Sequence, residues 1–212
     1  MQKDKVEQYI HRFIELIFHP LLAICYCVII IVAEGIFPFQ IVSYSMKEHV
    51  IYLFTWIMFT IPMLFIFFLN HIKYIKSYSN FSVDDHFIVS YIVTIASATA
   101  YFILARSIVP FIIEIIPIIT AISCMGMEIM YKKIKINAHA VALSSVLTYL
   151  IIIALVHGKN LLLPIISIIL SIGVVNYSAI EQEKNSFSVL LISNAYGIII
   201  TIISLLLVIT IG

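Results

Sequence analysis

Residues 135–140 read Lys-Ile-Asn-Ala-His-Ala and open an apolar run that extends to Val156. The lysine brings a fixed positive charge, the amide brings a further donor, and the histidine can give or take a proton near neutral pH. If His139 begins a helix, the backbone N–H groups of its first turn also favour anions. The segment predicts either an anion site or, on a plainer interpretation, a basic loop followed by an interfacial helix start.

The composition of the chain indicates a membrane protein. Of its 212 residues, 63% are hydrophobic and 11% are charged, whereas soluble domains carry about 25% charged residues. The formal net charge is +1, and no basic run exceeds the group Lys132, Lys133 and Lys135. Nucleic acid is therefore not expected as a partner. The three cysteines lie in apolar runs without metal-ligand or redox spacing, so the sequence predicts no cofactor and no metal.

Seven apolar runs predict an all-α, polytopic transmembrane bundle of six to seven spanning helices in one domain, 1–212. Each run is close to the roughly 20 residues that a helix needs to cross the hydrocarbon core. Pro62 and Pro117 fall inside runs and predict kinks. The segment before the first run is interpreted as a polar tail. The runs cover about residues 18–39, 50–69, 87–104, 110–131, 139–156, 161–177 and 187–211.

The distribution of basic residues between the loops predicts a cytoplasmic amino terminus. Nine lie on the amino-terminal side and three on the other, and cytoplasmic loops carry the excess of lysine and arginine. The nine are Lys3, Lys5, Arg12, Lys73, Lys76, Lys132, Lys133, Lys135 and Lys184, and the three are Lys47, Arg106 and Lys159.

The segment 135–140 resembles the second signature of the type 2 phosphatidic acid phosphatase superfamily, in the short membrane form that reads roughly Lys-Ile-Ser-x-His-Ala. The opening His-Pro-Leu-Leu at 19–22, the linker before Val83, and Gly197, twelve residues past Asn185, also resemble this form. The resemblance implies a bacterial inner-membrane protein whose three separated signatures converge on one pocket at one membrane face. A phosphomonoester or diphosphate of a membrane lipid is the substrate class that it implies.

The number of spans between loops places three of them on one side of the membrane. Two predicted spans separate the loop around 83–86 from the segment 135–139, and two more separate that segment from the loop 178–186. We therefore expect His86, His139 and Asn185 to meet in one pocket.

The third signature departs from the family pattern. There it supplies Ser-Arg and, after five residues, a histidine that attacks phosphorus, while arginines hold the phosphate oxygens. Here Ser178 is retained, but Ala179 stands at the arginine position and Asn185 at the nucleophile position. The chain contains two arginines, Arg12 and Arg106, and no Arg-Pro pair. Because an amide nitrogen has its lone pair delocalised into the carbonyl, covalent catalysis by the family route is not expected.

The sequence therefore favours a catalytically inactive, phosphatase-like membrane protein. It would bind a lipid headgroup through Lys135, Asn137 and His139, or act as an accessory subunit of a membrane complex. The alternative is an active lipid phosphate phosphatase, with His139 as acid or base and His86 in place of the lost nucleophile. A small transporter is a third class, and no repeat or broken-helix pattern supports it.

Two further clusters carry ionisable groups. Asp84, Asp85 and His86 could hold a metal, although such a run more often caps a helix with favourable acid at its amino end. Glu128 and Lys132 are four residues apart on a predicted helix, so we expect them to form an interfacial ion pair.

Overall fold

The computed structural model describes residues 2–36, 38–74, 83–107, 109–182 and 185–211, and within these ranges the chain is helical with no β-strand. This confirms the predicted all-α fold. The helices are α1 (Gln2–Ile17), α2 (Pro20–Ala33), α3 (Tyr44–Thr55), α4 (Ile61–His71), α5 (Val83–Leu104), α6 (Phe111–Tyr131), α7 (Ala138–His157), α8 (Leu162–Glu181) and α9 (Phe187–Ile211). A π-helical turn, Trp56–Thr60, joins α3 to α4.

Six helical segments in the described ranges are long and apolar enough to cross a membrane. They match the last six predicted runs, so the chain is a multi-pass membrane protein. They are Tyr44–His71, His86–Leu104, Phe111–Tyr131, Ala138–His157, Leu162–Glu181 and Phe187–Thr210.

The first predicted run, 18–39, does not form a helix of spanning length. Helix α2 has 14 residues and ends at Ala33, because Gly35 adopts φ +58°, the left-handed conformation that terminates helices. The segment interpreted as a polar tail is instead the helix α1. The second half of α1, Tyr9–Ile17, reaches spanning length together with α2 only as a pair that is bent by 49° at a short break.

The segment from α3 to α4 keeps one buried stripe through the π-helical turn. Pro62 lacks the N–H that would bond the carbonyl four residues earlier, and the wide turn directly before it accommodates that loss. Helix α6 continues through Pro117 to Tyr131. The stripe recurs at every fourth residue, namely Val50, Phe54, Met58, Pro62 and Ile66.

The chain divides into two compact units. The first contains Met1–Ile36 and Ile134–Ile203, and the second contains Phe37–Lys133 and Ser204–Gly212. In the first unit, α7 packs against α2 and α8, while α1 packs against α8. In the second unit, α5 packs against α6, α4 and the π-helical turn.

Candidate functional site

Asn137 fixes the start of α7. Its side-chain Oδ1 accepts a hydrogen bond from the Ala140 N–H at 3.1 Å, as an N-cap residue does. Its backbone N–H donates to Ser193 Oγ of α9 at 2.9 Å. The helix therefore begins at Ala138, one residue before the predicted start. While Oδ1 accepts in the cap, the Nδ2 group of this amide can donate to an anion.

A second imidazole lies beside His139. The ring centroids of His19 and His139 are 6.1 Å apart, with the planes at 79°. His19 stands at the N-cap of α2, where its Nδ1 accepts from the Leu21 N–H at 3.3 Å. A nitrogen that accepts cannot carry the proton, so the neutral ring holds its hydrogen on Nε2. Sequence reasoning missed this role, although a histidine directly before Pro20 at a helix start was a visible signal.

The segments predicted as second and third signatures meet in the first unit. Ala140 at the start of α7, Ala179 near the end of α8 and Leu190 at the start of α9 form one buried cluster. The Asn185 N–H donates to the Ala179 carbonyl oxygen at 3.3 Å. Asn185 Oδ1 is buried and has no hydrogen-bond partner. This brings together two of the three segments expected to meet.

Lys135 stands in the loop directly before α7. Its side chain is exposed, whereas the neighbouring Ile136 is buried and anchors the loop. The charge of Lys135 therefore reaches the aqueous side of the helix start. We define the polar end of the first unit by His19, Lys135, Asn137, His139 and Asn185.

Ser178 is buried and connects α8 to α1. His11 Nδ1 lies 2.8 Å from Ser178 Oγ. Gln182 Nε2 donates to Ser178 Oγ at 3.1 Å and to Glu15 Oε1 at 3.3 Å. Ser178 therefore holds α1 on α8. Sequence reasoning missed His11, because its partner lies 167 residues away along the chain.

His86 belongs to the second unit, where its ring centroid lies 4.8 Å from that of Tyr131. Its approach to the polar end of the first unit stays a prediction. The side chains of Asp84 and Asp85 lie outside the described residues. Among the described residues, no group of three or more histidine, cysteine, aspartate or glutamate side chains could hold a metal ion.

The predicted ion pair between Glu128 and Lys132 does not form within the described part of the chain. Lys132 Nζ lies 5.8 Å from the centroid of the Phe87 ring. Glu128 Oε1 is buried and has no hydrogen-bond partner. The lysine therefore makes a cation–π contact, which holds its ammonium group over an aromatic face.

The contact between α5 and α6 also buries hydroxyl groups that sequence reasoning did not single out. Ser90 Oγ donates to the Cys124 carbonyl oxygen at 3.3 Å. Thr94 and Ser97 follow Ser90 by four and seven residues and so share its face of α5. Both are buried, and the hydroxyl oxygen of neither has a hydrogen-bond partner.

No protein-family model matches the chain, and no curated protein or solved structure is significantly similar to it. The arrangement at the polar end combines a lysine charge, two adjacent imidazoles and two carboxamides. Such a set can neutralise an anion and donate hydrogen bonds to it. A phosphate monoester at a membrane surface has the matching charge and acceptor oxygens.

Proposed function

We propose that this chain is a phosphatase-like membrane protein without phosphatase activity, which binds an anionic lipid headgroup at the polar end of the first unit. The observation that carries the proposal is the meeting of the two signature segments through Ala140, Ala179 and Leu190. The basic bias of the loops and the resemblance favour the bacterial inner membrane, with the site on the cytoplasmic side. An accessory role in a larger membrane assembly is compatible with this binding.

The ligand chemistry follows from the groups at the polar end. Lys135 supplies the charge for a phosphate, and the Nε2–H of His19 supplies a neutral donor. The buried Asn185 amide has no partner for its oxygen, and leaving such a group unsatisfied costs about 1–3 kcal/mol. The Nδ2 group of this amide can donate to a phosphate oxygen, and its Oδ1 can accept from a hydroxyl group of the headgroup, which would remove that cost.

The same residues argue against turnover. Ala179 is packed against Ala140 and Leu190, and an arginine at that position would have to displace this cluster. The Nδ1 lone pair of His19 is occupied by the helix cap, and Asn185 cannot attack phosphorus. Losing a nucleophile costs about a millionfold in turnover, and each lost donor costs roughly a hundredfold or more.

Lipid binding is tested by native mass spectrometry of protein released from vesicles of phosphatidylcholine that contain phosphatidic acid. We expect Lys135→Ala to reduce retained phosphatidic acid about tenfold, since a charged hydrogen bond is worth about 1.5–3 kcal/mol. Lys159→Ala is the matched control, because Lys159 follows the opposite end of α7. Equal losses in the two variants would mean unspecific attraction and would contradict the proposal.

Turnover is tested separately, by release of phosphate from phosphatidic acid, prenyl diphosphate and phosphatidylglycerol phosphate. We expect no release above that of His139→Ala, and Asn185→His alone should restore none because these groups act as a unit. If phosphate is released, and the release is lost both in the single variant His139→Ala and in either of the single variants His86→Ala and His19→Ala, the chain is an active phosphatase instead.

A further inference from the structure

Helix α1 carries a continuous apolar face that no described residue of the first unit covers. Tyr9, Phe13 and Leu16 follow one another at helical spacing and are 70%, 62% and 61% exposed. Ile10 borders them and is also exposed. In a soluble protein, this face would be the one turned toward the core.

The opposite face of α1 is polar and faces the protein. His11, with 12% of its side chain exposed, is hydrogen-bonded to Ser178 and lies 3.9 Å from a Glu181 carboxylate oxygen. Glu15, one turn further along, accepts from Gln182. The polar face of α1 is therefore turned toward the protein, and its apolar face is turned away from the protein. Such an arrangement is stable only where the surroundings of α1 are themselves apolar.

The neighbouring chain indicates what these surroundings are. Helix α1 leads through a short bent break into α2, and Tyr26 Oη of α2 donates to the Ile17 carbonyl oxygen at 3.2 Å. The described part of the chain contains six further candidate spans. The exposed, charged Glu7 and Arg12 keep α1 out of the hydrocarbon core. A polar helix with aromatic and aliphatic groups on one face suits the boundary between headgroups and acyl chains.

We propose that α1 lies in the plane of the bilayer interface, with Tyr9, Ile10, Phe13 and Leu16 inserted among the lipids. The hydrogen bond of His11 to Ser178 and that of Gln182 to Glu15 set the roll of the helix about its axis, so that the apolar face is directed into the bilayer. This role is independent of headgroup binding at the polar end.

The position of α1 is tested by tryptophan fluorescence in single-copy nanodiscs. The chain has one tryptophan, Trp56, which is first replaced by phenylalanine. A tryptophan is then placed on the apolar face by Phe13→Trp, or on the polar face by Glu7→Trp. The nanodisc lipids carry bromine, a quencher, either near the headgroup or near the end of the acyl chain.

We expect blue-shifted emission and strong quenching for Phe13→Trp with bromine near the headgroup, and little quenching for Glu7→Trp. Stronger quenching by bromine at the chain end would make α1 part of a bent span and would overturn the proposal. Absence of quenching at both depths would mean that protein covers the face, and would also overturn it.

The roll of α1 is tested by adding His11→Ala to both tryptophan variants. Loss of one hydrogen bond of about 1 kcal/mol should lower the ratio of docked to undocked α1 about fivefold, so the difference in quenching between the two positions should shrink. His157→Ala, at the far end of α7, is the control and should leave the difference intact. An unchanged difference in His11→Ala would show that the hydrogen bond does not set the roll.

Discussion

Two helix contacts in this protein contain hydroxyl groups that form different hydrogen bonds. Between α7 and α9 in the first unit, Ser193 accepts from the Asn137 N–H, and Ser145 donates to the Gly197 carbonyl oxygen at 3.2 Å. Between α5 and α6 in the second unit, Thr94 and Ser97 have hydroxyl oxygens without hydrogen-bond partners.

The difference shows that burial alone does not reveal what a polar residue does in a membrane protein. Hydroxyl groups that bond across helices fix the position of one helix on the next. Between α5 and α6, Ser90 makes such a bond to the Cys124 carbonyl oxygen, whereas the hydroxyl groups of Thr94 and Ser97 contribute none. Removal of the Ser193 hydroxyl should therefore destabilise the protein, whereas removal of the Ser97 hydroxyl should not.

The largest effect should come from Gly197, where α9 packs closely against α7. A Cβ atom at this position would overlap Ser144 Oγ and the Val141 carbonyl oxygen. Since backbone cannot yield cheaply, we expect Gly197→Ala to lower the free energy of unfolding by about 3 kcal/mol. Reversible unfolding in mixed micelles measures this quantity.

Gly173→Ala is the matched control for this change. Nothing lies within 4 Å of its added Cβ, and alanine is favoured over glycine in a helix by about 1 kcal/mol. We expect the control to be at least as stable as the parent protein. A similar loss in both variants would mean that the close approach of α9 to α7 does not matter.

A pair of serines gives the most direct comparison of the two contacts. Ser193 and Ser97 both have 0% exposure. Ser193→Ala leaves the Asn137 N–H without its acceptor and should lower the free energy of unfolding by about 2 kcal/mol. Ser97→Ala removes an oxygen that has no partner and should cost nothing or stabilise the protein. Thermal unfolding of the two variants in the same detergent measures the difference. Equal costs would refute the distinction between the contacts.

The smallest of the three effects should come from the cap of α7. Asn137→Ala removes the Oδ1 that accepts from the Ala140 N–H, and such a loss costs about 1 kcal/mol. Asn137→Ser keeps a capping oxygen and should restore most of the stability. Comparison of the two unfolding free energies separates the cap from the backbone bond to Ser193, which both variants retain.

Most of the fold could be predicted from the sequence, because an apolar run of spanning length leaves the backbone no alternative to a helix. The prediction of a spanning helix at 18–39 was wrong because hydropathy does not detect the end of a helix, which here is set by Gly35. Helix α1 was missed because its apolar residues are spread over a polar segment, where only their helical period reveals them. Asn137 before an apolar run was a readable cap signal, although it was assigned to phosphate binding.

The candidate site could be predicted only in part. The short motif identified His139 and Lys135, since their chemistry is local. The neighbours His19 and Ser193 depend on how α2 and α9 pack against α7, and no local pattern encodes a contact across more than fifty residues. The same limit hid the pairing of His11 with Ser178.

The π-helical turn Trp56–Thr60 has a consequence for how this span tolerates changes in length. A π turn holds one residue more than an α turn, and the buried stripe before it at Phe54 continues after it at Pro62. Deletion of one residue within the turn would convert it to a regular α-helical turn. The buried residues before and after the turn would stay on the same face of the helix. Deletion elsewhere in the span would rotate everything beyond it by about 100°. The turn is therefore the place where this membrane helix can lose a residue without losing its register.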